Sequence, residues 1–132
     1  MKNIICYGGG GYCGGVVVPD LVNAGYNVTV FDKFWYGSNH LEHLNNVTLL
    51  KGDLRDIEAV KQSLIGQDIV LHLACVSNDS SFHLDEQLST SINFDSFAPL
   101  VKAAKAAGVS RFVFASSSSV YGISDKLDVT ED

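Results

Sequence analysis

Tyr7-Gly8-Gly9-Gly10-Gly11-Tyr12-Cys13-Gly14-Gly15 is the stretch on which the reading of this chain turns. It follows directly on an apolar, strand-length run, Ile4-Ile5-Cys6-Tyr7, and opens a helix-type stretch, Tyr12 to Ala24, that stops at Gly25. A glycine turn in that position lets backbone N–H groups approach a pyrophosphate, whose charge the helix N-terminus and its dipole favour. Two spacings are present: Gly9-x-Gly11-x-x-Gly14, the general dinucleotide fingerprint, and the wider Gly8-x-x-Gly11-x-x-Gly14. Spacing does not choose between them, and a merely flexible strand-to-helix turn would also be glycine-rich.

Working outward, four more runs have strand length and β-branched or aromatic content: Val28-Thr29-Val30-Phe31, Val47-Thr48-Leu49-Leu50, Ile69-Val70-Leu71-His72-Leu73 and Arg111-Phe112-Val113-Phe114-Ala115. Helix-type stretches lie between them, Asp56 to Ile65 before Gly66 and Leu84 to Ala107 before Gly108, each with a glycine placed as a C-terminal cap. This alternation predicts right-handed βαβ crossovers and an α/β fold with a doubly wound parallel sheet of about five strands, ordered 3-2-1-4-5. Pro19 and Pro99 both fall inside helical stretches, so kinks are expected, the second splitting the long helix near Phe97.

The second strand ends in Asp32, eighteen residues past Gly14, close to the offset of ~20 at which an acidic side chain meets the adenosine ribose. A carboxylate there favours NAD and repels a 2′-phosphate, with the adjacent Lys33 a partial offset. The lesser alternative for Asp32 is a solvated strand-end residue.

The 132 residues carry 46% hydrophobic and 18% charged positions with a net charge of −6, which suits one domain with a well-buried sheet and excludes disorder. An acidic chain repels a phosphate backbone, so nucleic acid is not an expected partner. Cys6, Cys13 and Cys75 have no metal-type spacing and the four histidines are scattered, so no metal site is expected. With no signal-peptide pattern at the start and no window long enough to span a bilayer, the expectation is a cytoplasmic protein without membrane association.

Together these residues resemble the extended short-chain dehydrogenases of the NAD-dependent nucleotide-sugar epimerase/dehydratase group, whose domain is of Rossmann type, and the resemblance runs from end to end of the chain. Gly8, Gly11 and Gly14 are similar to its phosphate loop, with Tyr12 and Cys13 where the group offers N–H donors, and Asp32 matches its ribose carboxylate. Gly52-Asp53-Leu54-Arg55-Asp56 resembles its G-D-[IL]-x-D, in which the first Asp and the next N–H contact adenine; the alternative is that Asp53 or Asp56 caps the following helix. His72-Leu73-Ala74-Cys75 resembles H-L-A-A against the cofactor ribose, with Cys75 a departure expected to be a buried inert thiol and His72 a packed strand residue. A lysine common further on is replaced near Ser77. Asn93 falls at the cofactor-facing part of the long helix, though Ser96 and Phe97 stand where a Gly-Thr pair is usual. Ala115-Ser116-Ser117-Ser118-Ser119-Val120-Tyr121-Gly122 resembles [SA]-S-S-x-x-V-Y-G, which implies Ser117 as the catalytic hydroxyl and Ala115 and Ser116 on the cofactor face. Val129-Thr130-Glu131-Asp132 matches a short acidic stretch.

The resemblance further implies a Tyr-x-x-x-Lys pair, the tyrosine serving as general base for hydride transfer between a sugar carbon and NAD. These 132 residues contain no such pair. The expectation is therefore the amino-terminal NAD-binding domain, residues 1–132, of a longer nucleotide-sugar epimerase or dehydratase, inactive by itself. Its substrate part is absent, its fifth strand is left as an edge, and a homodimer is possible through the helix Leu84 to Ala107. Residues 77–88 are expected as a loop over the cleft, with Asn78, Asp79, Ser80 and Ser81 offered to substrate. A non-catalytic NAD(H) sensor or scaffold is the alternative, and a methyltransferase using S-adenosylmethionine a third reading that the serine-rich strand end disfavours.

Overall fold

Each of the five apolar runs forms a strand in the computed structural model, which describes residues 1–122. The acidic stretch Val129-Thr130-Glu131-Asp132 lies outside the described residues. The strands are β1 (Asn3–Tyr7), β2 (Asn27–Asp32), β3 (Val47–Lys51), β4 (Ile69–His72) and β5 (Arg111–Phe114). They pair in parallel throughout, in the order β3-β2-β1-β4-β5. The expected sheet, strand order included, is the observed one.

Alternating side chains of each strand feed two cores, as the twofold period of a strand requires. On one face Ile5, Tyr7, Phe31 and Val70 pack with Val60 and Leu64 from the helix α2 (Ile57–Ser63) segment and Leu100 from the last long helix. On the other, Cys6, Val28 and Val30 pack with Val18 of α1 (Gly14–Asn23) and with Leu41. Helices thus cover both faces, and each fully buried aliphatic side chain contributes about 1.5–3 kcal/mol of transfer free energy. Asp56 caps α2 by accepting the Ala59 N–H at 3.1 Å, the helix-capping alternative for that residue.

One expectation changes and another holds. Residues 77–88 are not an open loop: α3 (Asp79–Leu84) and the start of α4 (Glu86–Thr90) occupy them, each begun by an Asx cap, Asn78 accepting from Ser81 N–H and Asp85 from Leu88 N–H, both at 2.9 Å. The long helix is in three pieces, α4, a π turn at Ser91–Asp95, and α5 (Phe97–Ala106), with the break beside Phe97 where Pro99 required it. By contrast α1 runs without interruption through Pro19. Strand β5 pairs only with β4 among the described residues and leaves Val113 and Phe114 exposed. No helix of the described residues is long and apolar enough to cross a membrane, and no metal-type cluster occurs among them.

Candidate functional site

The strand order reverses between β1 and β4, so the crossovers leave to opposite sides there and open a crevice at the carboxyl ends of the strands. A cleft of about 560 Å³ lies in that place. Its walls are the turn after β1 (Gly8, Gly10, Gly11, Tyr12, Cys13), the ends of β2 and β3 (Asp32, Lys33, Gly52, Asp53, Leu54), and the segment after β4 (Leu73, Ala74, Cys75, Val76, Ser77).

The glycine turn resolves the question of spacing. Gly8 has φ +80°, and a Cβ there would lie 2.5 Å from both the Cα and the N of Ala74, so the position demands glycine twice over. Gly14 lies against Gly9, whose backbone a Cβ would strike, which is what close packing of helix on strand requires. Gly11 is different: its Cβ would meet only the Gly8 carbonyl oxygen at 3.5 Å, an ordinary contact, so the protein leaves the space beside it open. Tight turn, open approach and close packing fall on Gly8, Gly11 and Gly14, the wider of the two spacings.

Beyond Gly11 the first helix begins with no side-chain cap and no acidic residue in its first turn. Among the described residues the N–H groups of Tyr12 and Cys13 have no acceptor, whereas Gly11 donates to Gly8 and Gly15 to Gly11. Two unpaired donors at the positive end of a ten-residue helix form a receptor for an anion.

Asp32 accepts the N–H of Gly10 at 3.0 Å on one oxygen and that of Phe34 at 2.7 Å on the other. Each oxygen retains a second acceptor position. Asp53 is placed otherwise: Oδ1 accepts from the N–H and Nε of Arg55 at 3.0 and 2.9 Å, and Oδ2 from Arg55 Nη2 and Lys33 Nζ at 2.6 and 2.8 Å. The Arg55 guanidinium, with Lys33, holds the Asp53 carboxyl well below the usual carboxylate range.

His72 is a packed strand residue, as expected. It is 2% exposed, stacks on Phe97 at 5.8 Å and meets Tyr7, Phe112 and Phe114 edge-on, and burial pushes its pKa down to about 4. Cys75 departs from expectation in being exposed, although partial burial and then the neighbouring Cys13 still push its thiol pKa up. Cys6 is the buried thiol, pushed up to about 12 by desolvation and then by Asp32.

Of the other site residues inferred from sequence, Gly14 lies beneath the glycine turn, and Asn93, Ala115, Ser116 and Ser117 are outside the lining of the cleft. Asn93 instead clamps its neighbour: Oδ1 accepts the Val76 N–H at 2.7 Å and Nδ2 donates to the Val76 carbonyl at 3.0 Å, so it positions a cleft residue without joining the wall. Ala115 extends the sheet by donating to the His72 carbonyl at 3.1 Å, and Ser117, whose carbonyl accepts from Val120 at 3.2 Å, opens the turn that follows. These three stand at the end of β5, one strand along from Leu73–Ser77. Sequence reasoning missed Trp35 and Tyr36, which line the cleft mouth, and Leu84, Asp85 and Leu88 from α3 and α4. Two adjacent exposed aromatics, 60% and 90% exposed, directly after the ribose-type Asp were the signal available for the first pair.

A family model described as the NAD dependent epimerase/dehydratase family matches residues 4–132. A UDP-glucose 4-epimerase of Rhizobium meliloti (strain 1021) is 31% identical over 98% of this chain and 40% of its own length. Two solved structures superpose closely. One is a UDP-glucose-4-epimerase from Stenotrophomonas maltophila with bound NAD and formylated UDP-arabinopyranose, at TM-score 0.91 and 25% identity, over 99% of this chain and 41% of that one. The other is a UDP-N-acetylglucosamine 4-epimerase from Methanobrevibacter ruminantium M1 in complex with UDP-N-acetylmuramic acid, at TM-score 0.88 and 29% identity, over 99% and 43%. The chain thus spans about two fifths of the length of the relatives it matches.

Proposed function

The chain belongs to the NAD dependent epimerase/dehydratase family, and from that premise we propose that it is the cofactor-binding part of a nucleotide-sugar epimerase or dehydratase, with NAD in the cleft at the ends of β1 to β4. The residues present fit that cofactor. Tyr12 and Cys13 offer free N–H groups to a pyrophosphate across the space that Gly11 leaves open, and Asp32 retains acceptor positions for a ribose hydroxyl. NAD, when bound, supplies a hydride acceptor for a sugar carbon. The chain's own contribution is binding and orientation: Asn93 holds the Val76 backbone that walls the cleft, and Leu73 and Ala74 present small or apolar surface to it.

Ser117 is the residue that would hold the sugar hydroxyl in line. No Tyr-x-x-x-Lys occurs in the 132 residues, so in this reading their part is to hold NAD and the sugar hydroxyl and not to supply the general base. The observation that carries the reading is the receptor at the start of α1, two unpaired donors and a bare Gly11 facing Asp32 over one cleft.

Trp35 is the single tryptophan and lines the cleft mouth, so it reports on occupancy. Titration of the chain with NADH is expected to give saturable energy transfer from Trp35 to the reduced nicotinamide, displaced by NAD. Saturation by S-adenosylmethionine with none by NADH would refute the proposal.

A further inference from the structure

Three charged residues, Asp32, Lys33 and Asp53, line the end of the cleft formed by β2 and β3, Arg55 joins them through Asp53, and the four are unequally engaged. Asp32 spends one acceptor position per oxygen on backbone N–H groups and keeps the others. Asp53 has no acceptor position left, since Arg55 takes three and Lys33 the fourth. A carboxylate so occupied cannot also accept from an adenine amino group unless one of its cations lets go. The position that resembles an adenine contact is thus occupied with holding charge.

Lys33 is the cation of consequence, because it follows Asp32 directly in the chain. Any 2′-phosphate replacing the ribose hydroxyl that Asp32 faces would enter beside Lys33 and would need it free. Lys33 is engaged: its Nζ sits 2.8 Å from Asp53 and 5.3 Å from the centre of the Trp35 ring. Arg55 is tied to the same carboxylate at 2.6 Å. The formal charges of Asp32, Lys33, Asp53 and Arg55 cancel, so the site offers a dianionic phosphate no net attraction while Asp32 repels it.

We propose that Asp53 enforces the choice of NAD over its 2′-phosphorylated form by holding Lys33 away from the ribose position, acting as a specificity-setting residue that need not touch the cofactor. The inference rests on the NAD reading above. Asp32 supplies the direct repulsion and Asp53 removes the counter-charge that would relieve it, so two carboxylates act in series. The grip persists through the neutral range because Arg55 keeps Asp53 ionised. Lys33 and Asp53 are 36% and 23% exposed, so the effect on binding is partial and falls with salt.

The test uses the whole 132-residue chain and the ratio of NADPH to NADH dissociation constants at low ionic strength. Asp53→Asn should lower that ratio about tenfold, the scale of one freed cation beside a phosphate at a partly exposed site. The double variant Lys33→Met/Asp53→Asn should restore it. A thermal melt reports whether Asp53→Asn folds, and Asp53→Ser, smaller and still able to accept the Arg55 N–H, carries the same expectation if it does not. Folded Asp53→Asn or Asp53→Ser with a ratio within about twofold of the parent overturns the proposal. So does a gain that survives loss of Lys33. Failure of the unaltered chain to bind NADH at all is a separate result, and it overturns the NAD reading together with everything built on it.

Discussion

Gly8→Ala and Gly11→Ala are chemically the same change three residues apart, and the structure requires opposite outcomes. At Gly8 the new Cβ must adopt φ +80°, which costs an L residue about 1–2 kcal/mol. It must also stand 2.5 Å from the Cα and N of Ala74, backbone atoms that cannot rotate away, and overpacking of that kind adds about 1–3 kcal/mol. The sum, about 2–5 kcal/mol, is a large part of the ~5–15 kcal/mol by which a domain is stable. At Gly11 no positive φ is required and the nearest atom is 3.5 Å away. Removing a glycine there restricts the unfolded chain and stabilises by about 0.4–1 kcal/mol. The same methyl, however, occupies the space that the phosphate loop leaves open. Urea unfolding and NADH titration together separate the effects. Gly8→Ala should lower the unfolding midpoint sharply with the slope unchanged, while Gly11→Ala should unfold at or slightly above the parent's midpoint and bind NADH at least about tenfold more weakly, a loss of ~1.4 kcal/mol. A Gly11→Ala chain that binds NADH as the parent does would refute the placing of the phosphate loop, and a Gly8→Ala chain with an unshifted midpoint would refute the packing argument.

His72 sets an acid limit on stability. Its folded pKa is depressed to about 4 from 6.5, so the unfolded chain takes up the proton first, and stability present above 6.5 is lost as pH falls from 6.5 to about 4, by up to about 3 kcal/mol. Its buried Nδ1 has no partner among the described residues, so His72→Phe should cost little at pH 7 and flatten the decline; urea midpoints at pH 7 and pH 4.5 measure both. Asn93→Ala strips Val76 of two hydrogen bonds and should cost about 1–3 kcal/mol in urea unfolding. Asn93→Asp should fare no better, since it keeps the Val76 N–H contact but turns a carboxylate toward the Val76 carbonyl.

The backbone-level features were legible because they rest on residue types with few alternatives. β-branched and aromatic runs bounded by glycine marked all five strands, and a glycine cluster marked the tight turn between β1 and α1. Asp56 was legible as a cap because capping is local. Asp53 was not, since the Lys33–Asp53 pair joins residues twenty apart in sequence, and which cation reaches a carboxylate is decided by how β2 lies beside β3. Helix α3 was missed for a different reason: its six residues show no apolar periodicity, although Asn78 ahead of Ser81 is a start signal. The clamp of Asn93 on Val76 was not legible, because spacing along a regular helix does not give the side-chain direction.

That direction and Pro99 have a common cause. In an unbroken helix from Glu86 onward, Pro99 would leave one carbonyl without a donor and crowd it with the ring. The π turn at Ser91–Asp95 removes the conflict: Ser96 N–H donates five residues back, to the Ser91 carbonyl at 3.2 Å, and α5 starts afresh at Phe97. Pro99 then lies in the first turn of a new helix, where a backbone N–H has no intrahelical acceptor to lose. Ser96 donates its hydroxyl to the Ile92 carbonyl at 2.7 Å, satisfying a group that the widened turn would leave bare. Asn93 sits at the middle of the bulge and spends both halves of its amide on Val76, while Phe97, just past it, stacks on His72 at the end of β4. The Ser96-Phe97-x-Pro99 sequence therefore serves the cleft from behind. It widens one turn of helix, and that turn holds the segment after β4 from which Leu73, Ala74, Cys75 and Val76 line the cleft.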